Sequence, residues 1–305
     1  MATVIIAGPT SAGKSSAAID LARRFSCPVI SADARQCYRY LDIGTGKISK
    51  ELRREIPHYN ISIFNPDQPD TAADFAGRTR KWEQEISQQN DLCLYAGGST
   101  LHLESVLYPF DPVPPANPRN IEELEKQADE SGVASLFEKL QSVDPEYSKK
   151  MDGLNRQRII RALDVWMQTG KPFSRFHQQK FAEPRADLAI VLSPERKLLH
   201  ERINQRVNQM LEEGLVDEVR SILQMGYSSE NQSLQTVGYR EVIAYLNGDL
   251  NYADMVEKIK ARTRQYAKRQ LTWFRRWPHG VWIDSGKPDD HIRSEILSHV
   301  EALSV

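Results

Sequence analysis

The stretch Gly8-Pro9-Thr10-Ser11-Ala12-Gly13-Lys14-Ser15 constrains this chain more than any other. It follows a short apolar run, Thr3-Val4-Ile5-Ile6-Ala7, and precedes residues with helical period, Ala17, Ala18, Leu21 and Ala22. This is G-x-x-x-x-G-K-[ST] set between a strand and a helix. The glycines let backbone N–H groups close around an anion, and the helix dipole points at the same place. Lys14 adds a full positive charge, and the Ser15 hydroxyl suits a Mg2+ that bridges phosphate oxygens. The loop predicts a di- or triphosphate held by Gly8, Pro9, Thr10, Ser11, Ala12, Gly13, Lys14 and Ser15. It leaves open which molecule carries that group.

The chain after the loop alternates. Pro28–Ala32 reads as a buried strand ending at Asp33, Tyr59–Phe64 as a weaker one, and Asp91–Ala96 as another, closed by Gly97-Gly98-Ser99-Thr100. Thr71 with Asp74 looks like a capping box opening a helix through Trp82 and Ile86. Strands alternating with helices imply an α/β fold, a parallel sheet with helices on both faces. Ligands then sit beyond the carboxyl ends of the strands, where Gly8, Asp33 and Gly97 fall. The pattern changes at the Pro-rich stretch 111–118. Residues 121–169 show only helical period, with breaks at Gly132 and Asp144-Pro145, and strand character returns at Ala186–Leu192. We therefore expect a P-loop core in two parts, 1–112 and 184–305, with an all-helical insertion domain at 113–183. Helices are expected over 195–223, interrupted at Gly214, over 239–246 and over 255–277, then a last strand at Val281–Asp284 and a terminal helix.

Composition narrows the class. With 305 residues, 40% hydrophobic and 27% charged, the chain reads as an ordinary globular protein with a sizeable core. Its three cysteines are far apart and suggest neither a disulfide framework nor a zinc site. A reducing cytoplasm fits best. No run approaches a membrane span, and no signal peptide is expected. Net charge is −1, so affinity for nucleic acid must come from local patches. Such patches exist. From Lys258 to Arg276 the chain carries many lysines and arginines and no acid, interleaved with Tyr266, Trp273 and Phe274. Basic charge neutralises phosphates, and aromatic faces stack on bases. A solvated helix face is the plainer reading, but such faces usually mix signs. A second cluster, Arg156 to Arg161, reads equally as RNA contact or as a surface helix packed by Ile159 and Ile160.

With these residues in place, the chain resembles the tRNA dimethylallyltransferases of the P-loop type, collinearly and over almost its full length. The resemblance is carried by the phosphate loop, by Ser31-Ala32-Asp33-Ala34-Arg35-Gln36 leading to Asp42-Ile43-Gly44-Thr45-Gly46-Lys47, and by Ala96-Gly97-Gly98-Ser99. It continues through Arg156–Leu163, Thr169-Gly170-Lys171-Pro172, Arg202–Arg206 leading into Met210–Gly214, Val237–Glu241 and Gln265–Arg275. The resemblance implies transfer of a dimethylallyl group from its diphosphate to the exocyclic amine of the adenosine directly 3′ of the anticodon, in tRNAs reading codons that begin with U. The loop would then hold a diphosphate leaving group.

That chemistry suggests roles. The exocyclic amine is a poor nucleophile and needs an acceptor that fixes it and takes a proton, a role suited to Asp33. As an alternative, Asp33 is only a Mg2+ ligand or a cap. Lys14, Mg2+ on Ser15 and the loop N–H groups would stabilise the departing diphosphate. Thr10 would touch the diphosphate or the amine, and Arg206, with Arg202 in reserve, would close over the diphosphate. The adenosine must leave the anticodon-loop stack. Asp33, Ala34, Arg35 and Gln36 match the family's tRNA-contacting turn. Its other tRNA contacts match Ser99; Gln157, Arg158, Ile159, Ile160 and Arg161; Gln235, Thr236, Val237, Gly238, Tyr239 and Arg240; and Lys268, Arg269, Gln270, Leu271, Thr272, Trp273, Phe274 and Arg275. The chain departs from the family pattern at Ala34 (usually Ser), Ser99 (Thr), Thr100 (Gly), His102 (Tyr) and Ile121 (often Arg). The expected partners are tRNA, through its anticodon stem-loop, and dimethylallyl diphosphate, with no membrane, for a monomer. Two other readings remain on residues alone: an ATP-dependent kinase of a small molecule or nucleotide, and a non-catalytic RNA-binding P-loop protein.

Overall fold

Apolar strand residues without alternation demand a sheet covered on both faces, and the structure supplies one. The structure is a computed structural model that describes residues 1–108, 113–176 and 184–303. In chain order its elements begin β1 (Ala2–Ala7), α1 (Lys14–Phe25), β2 (Val29–Ala32), α2 (Lys50–Glu55), β3 (His58–Tyr59), α3 (Ala72–Ile86), β4 (Leu92–Gly97) and α4 (Thr100–Leu107). Next come α5 (Pro118–Val143), α6 (Pro145–Lys149), α7 (Arg156–Thr169) and a 3-10 turn at Phe173–Phe176. The chain ends with β5 (Leu188–Leu192), α8 (Arg196–Glu212), α9 (Leu215–Gln224), α10 (Tyr239–Leu246), α11 (Tyr252–Phe274), β6 (Gly280–Ile283) and α12 (Asp289–Glu301).

The sheet order is β3-β2-β4-β1-β5-β6, and every recorded pairing is parallel. β1 pairs with β4 on one side and β5 on the other, so the order reverses at its carboxyl end. That reversal opens a crevice at the phosphate loop. Val4, Ile6, Leu94 and Ile190 are buried at the centre of the sheet, packed with Ala18, Leu21 and Ile296 of the covering helices. Two compact units result: Met1–Leu107 with Pro184–Val305, and Tyr108–Glu183. The second begins at 108 rather than at the 113 expected from the Pro-rich stretch.

Most expected elements form. Thr71 Oγ1 accepts from Asp74 N at 3.1 Å, opening α3 as its sequence suggests. Gly132, at φ 80°, kinks α5, and Gly214, at φ 99°, separates α8 from α9. The strand expected at Tyr59–Phe64 differs. Pairing with β2 stops at Tyr59, because Asn60 and Ser62 take φ values of 63° and 54°. Residues 62–64 turn their N–H groups to the carbonyls of Gln36 and Cys37 instead.

The second unit corrects one expectation. Ile159 and Ile160, matched to tRNA contacts by family resemblance, are 0% and 2% exposed and belong to the core that α7 shares with Leu124, Leu136 and Leu140 of α5. Alternate arginines on α7 face outward while the isoleucines turn in, so these two side chains cannot reach an RNA. Arg156 pairs with Glu125 and Asp129, and Arg161 pairs with buried Asp164. Gln157 and Arg158 stay exposed. Truncating Ile159 to Ala is expected to remove ~2–5 kcal/mol from the stability of this unit. Urea unfolding of the variant reads it as a lower midpoint; an unmoved midpoint would place the side chain outside the core.

Candidate active site

The phosphate loop spans the end of β1 and the first turn of α1. Gly13, at the cap position of α1, supplies no side-chain cap, and the first turn carries no acid. The orphan N–H groups of that turn therefore remain available to an anion. Lys14 Nζ donates to Pro9 O at 2.7 Å, so the ammonium folds back over the loop. Ser11, at φ 63°, buries its Oγ with no partner among the described residues, and Ser15 is exposed at the helix start.

Gln270 of α11 braces this loop. Its Oε1 accepts from Thr10 N at 3.0 Å, and its Nε2 donates to Gly98 O at 2.7 Å. The fit is close: a Cβ on Gly98 would lie 2.4 Å from Gln270 Nε2. Gln270 is 3% exposed, so it is a support of the loop and not the tRNA contact suggested by resemblance. Its buried place was legible in part, because Ala267, Gln270 and Phe274 recur at helical spacing on the apolar stripe of α11.

Asp33 stands just past β2. Its Oδ1 accepts from Arg35 N at 2.8 Å and Gln36 N at 3.2 Å, which pins the carboxylate by one oxygen. Oδ2 takes no hydrogen bond from the described residues. Asp33 and Thr10 line one pocket of about 220 Å3, together with Arg206 and an apolar wall that includes Val207, Met210, Leu215 and Ile259. Arg206 also borders a larger cavity of about 610 Å3 on the other flank of the loop, beside Ser11, Gly13 and Arg202. Arg206 Nη2 donates to Thr45 O at 3.4 Å, whereas Arg202 Nη1 donates to Ser285 O at 2.9 Å.

Electrostatics tie these groups together. Burial first and the Arg206 charge second lower the Lys14 ammonium, Asp33 opposes both, and the result is a pKa of about 7. Burial also lowers Arg206 from its ordinary value, against the carboxylates of Asp33 and Glu213. Tyr266, an exposed residue overall, lines the same pocket as Asp33, and desolvation first and the Asp33 charge second push its ionisation up.

Other residues matched to tRNA contacts fall into two groups. Arg35, Gln36, Thr236 and Val237 are half-buried, and Ala34, Arg35, Thr236, Val237 and Gly238 line the 220 Å3 pocket. Gln235, Arg240, Lys268, Arg269, Thr272 and Arg275 are exposed, and Trp273 is half-buried. Lys268, Arg269 and Arg275 form no ion pair among the described residues, while Arg262 is spent on buried Glu241. Tyr239 and Phe274, both 0% exposed, are corrections: Tyr239 sits in a core cluster with its hydroxyl on Glu218, and Phe274 packs edge-on against Trp277. Neither ring can stack on a base. Gly238 is buried as the cap residue of α10, its N–H given to Glu241 Oε2 at 2.6 Å, and Leu271 packs against Leu199 and Ile203. Ser99 hangs from Ala32 O by its N–H at 3.2 Å, and its Oγ lies 3.1 Å from Nδ1 of buried His102.

Among the described residues no group of histidine, cysteine or carboxylate side chains is arranged to hold a metal ion. A divalent cation here would take oxygen from Ser15 and from the phosphates themselves. That donor set fits Mg2+, which keeps water and binds through substrate phosphates.

A family model described as IPP transferase matches residues 36–277, and one described as isopentenyl transferase matches residues 1–56. The tRNA dimethylallyltransferase of Caldanaerobacter subterraneus subsp. tengcongensis is 39% identical over 97% of this chain and 96% of its own length. That of Geobacter sulfurreducens is 41% identical over 92% of this chain and 91% of its own. The structure of the tRNA isopentenylpyrophosphate transferase from Bacillus halodurans superposes with a TM-score of 0.72 at 34% identity, covering 99% of this chain and 96% of that one. A eukaryotic dimethylallyltransferase acting on tRNA superposes at 0.80 with 25% identity, covering 93% of this chain and 74% of that one. With a loop, a carboxylate and an apolar pocket arranged in this way, and with matches running nearly end to end, the chain belongs to the IPP transferase family.

Proposed function

We propose that this chain transfers a dimethylallyl group from dimethylallyl diphosphate to the exocyclic amine of the adenosine directly 3′ of the anticodon, in tRNAs reading codons that begin with U. The observation that carries the reading is the pocket of about 220 Å3 that joins Thr10 of the phosphate loop to Asp33 and is otherwise walled largely by hydrocarbon. A cradle for diphosphate opens there onto a place for a short apolar chain, with a carboxylate at its edge. The names of the relatives, which specify transfer onto tRNA, support the acceptor.

In this reading the amine attacks the allylic carbon, a C–N bond forms as the C–O bond to diphosphate breaks, and the amine proton passes to Asp33. The pinned Oδ1 orients the carboxylate, and Oδ2 is the oxygen left to accept that proton. Lys14, Arg206 and the loop N–H groups stabilise the charge gathering on the leaving group. When bound at Ser15, Mg2+ would neutralise part of the same charge. The apolar wall keeps water from the reacting carbon. The exposed Lys268, Arg269 and Arg275 on α11 would take the phosphates of the anticodon stem-loop, and Arg35 and Gln36 the unstacked base.

Incubation with dimethylallyl diphosphate, Mg2+ and unmodified tRNA tests the reading. Label should enter tRNA without ATP; a requirement for ATP, or no label, rejects it. Asp33→Ala is expected to slow transfer ~100- to 10,000-fold while leaving tRNA affinity nearly unchanged. Transfer at the original rate would remove Asp33 from its role.

Lys14 adds a pH test. Its pKa of about 7 applies without an anion, and a bound diphosphate favours the charged form and raises it. Above pH 7, binding must therefore take up a proton at Lys14, and the contribution of Lys14 to affinity falls as pH rises. Calorimetry with inorganic diphosphate at pH 8, in two buffers of different ionisation heat, should show proton uptake that Lys14→Met reduces. Equal uptake in both proteins would contradict it. On α11, Arg269→Ala or Arg275→Ala should weaken tRNA binding and flatten its salt dependence by ~0.7–0.9 per charge removed; an unchanged slope would take that charge out of the interface.

A further inference from the structure

We propose that Glu218, which lines neither cavity, is the positioning residue of Arg206 and sets the alignment of the diphosphate clamp. The proposal deepens the transfer reading and rests on it for the identity of the reaction. Glu218 lies on α9. Its Oε2 accepts from Asp42 N at 2.9 Å and Ile43 N at 2.7 Å, and its Oε1 accepts from Gly44 N at 3.1 Å and from the Tyr239 hydroxyl at 2.6 Å. A carboxylate offers about four lone-pair sites, and here every one is used. Hydrogen bonds to a charged acceptor are about twice as strong as neutral ones. Three successive backbone N–H groups are thereby fixed to one side chain from a distant part of the chain.

The residues directly after Gly44 carry this anchoring to the clamp. Thr45 O receives Arg206 Nη2 at 3.4 Å and Gln36 Nε2 at 3.3 Å. The backbone passes so close to the guanidinium that a Cβ on Gly46 would fall 1.9 Å from Arg206 Nη2. At its far end the strap is held by Lys47, whose Nζ reaches Asp42 Oδ1 at 2.7 Å and Ser62 Oγ at 3.0 Å. The Tyr239 hydroxyl ties the same carboxylate to the start of α10, directly after Thr236, Val237 and Gly238 of the pocket wall. One carboxylate thus ties the strap whose Thr45 carbonyl receives Arg206 to the start of α10 beside the pocket wall. A misplacement of about 1 Å in a catalytic group costs on the order of 100-fold in rate.

The test is a double-mutant cycle of Glu218→Gln with Arg206→Ala, read in the full chain by transfer to tRNA and by calorimetric binding of inorganic diphosphate with Mg2+. The amide of Glu218→Gln turns N–H against backbone N–H and loses half of the acceptor sites. Alone it should lower kcat ~10- to 100-fold and weaken diphosphate binding, with tRNA affinity unchanged. On the Arg206→Ala background it should add less than about twofold to either readout, since the group it positions is gone. Losses that multiply would overturn the proposal, as would a Glu218→Gln protein equal to wild type. Gly46→Ala gives a second reading should Glu218→Gln fold poorly: its Cβ displaces the same guanidinium, and its loss should likewise vanish on the Arg206→Ala background. A wild-type chain that transfers nothing yet shows the same coupling in diphosphate binding would reject the transfer reading and leave the role of Glu218 standing.

Discussion

Lys14 and Arg206 are held close enough to repel one another in a cleft where both are desolvated, and the rest of the site is arranged around that repulsion. Elsewhere several half-buried arginines are neutralised by buried carboxylates: Arg78 by Asp70, Arg262 by Glu241, Arg161 by Asp164. At the phosphate loop the two cations are not. Lys14 is held by the carbonyl of Pro9 and Arg206 by the carbonyl of Thr45. Neutral acceptors fix the position of a cation without cancelling its field, so the pair stays attractive to an anion of more than one charge. Asp33 returns part of the cost at a distance, and its fixed geometry keeps it from closing onto either cation.

The hydrocarbon wall strengthens the same field. Val207, Met210, Leu215 and Ile259 line one side of the pocket that Thr10, Asp33 and Arg206 border. Charge interactions grow as water is excluded, so hydrocarbon at that edge strengthens the hold of the cations on an anion. The polar groups of that pocket, among them Arg35, Thr45, Thr236 and Thr263, share the lining with this hydrocarbon, so the cavity can take a ligand that is part apolar and part charged.

Much of this was readable in the chain. Gly8 to Ser15 name a phosphate loop by spacing alone, and apolar runs locate β1, β2, β4, β5 and β6 because parallel strands are buried on both faces. The position of Asp33 beyond a strand end was readable for the same reason. Three things were not. The strand at 59–64 failed because Asn60 and Ser62 adopt positive φ, which Asn tolerates more readily than most residues but does not require, and which Ser does not announce. Matching residues by resemblance could not tell exposed side chains from those packed beneath them, so Ile159, Ile160, Tyr239, Gln270 and Phe274 were grouped with their exposed neighbours. Glu218 was invisible because three of its four donors are backbone N–H groups far away in sequence, and a backbone donor leaves no residue pattern to read.

The two faces of α11 give those buried residues a common purpose. Its outer face presents Lys268, Arg269, Thr272 and Arg275, while Gln270 on its inner face grips Thr10 N and Gly98 O. A helix is stiff over such a short span, so a cationic surface and the backbone of the phosphate loop are carried by one rigid element. Gln270, as a neutral amide with one acceptor and one donor engaged, makes that connection without adding a charge that would compete with diphosphate. The buried stripe of α11 therefore does for the loop what Glu218 does for the strap: it fixes backbone from outside the pocket.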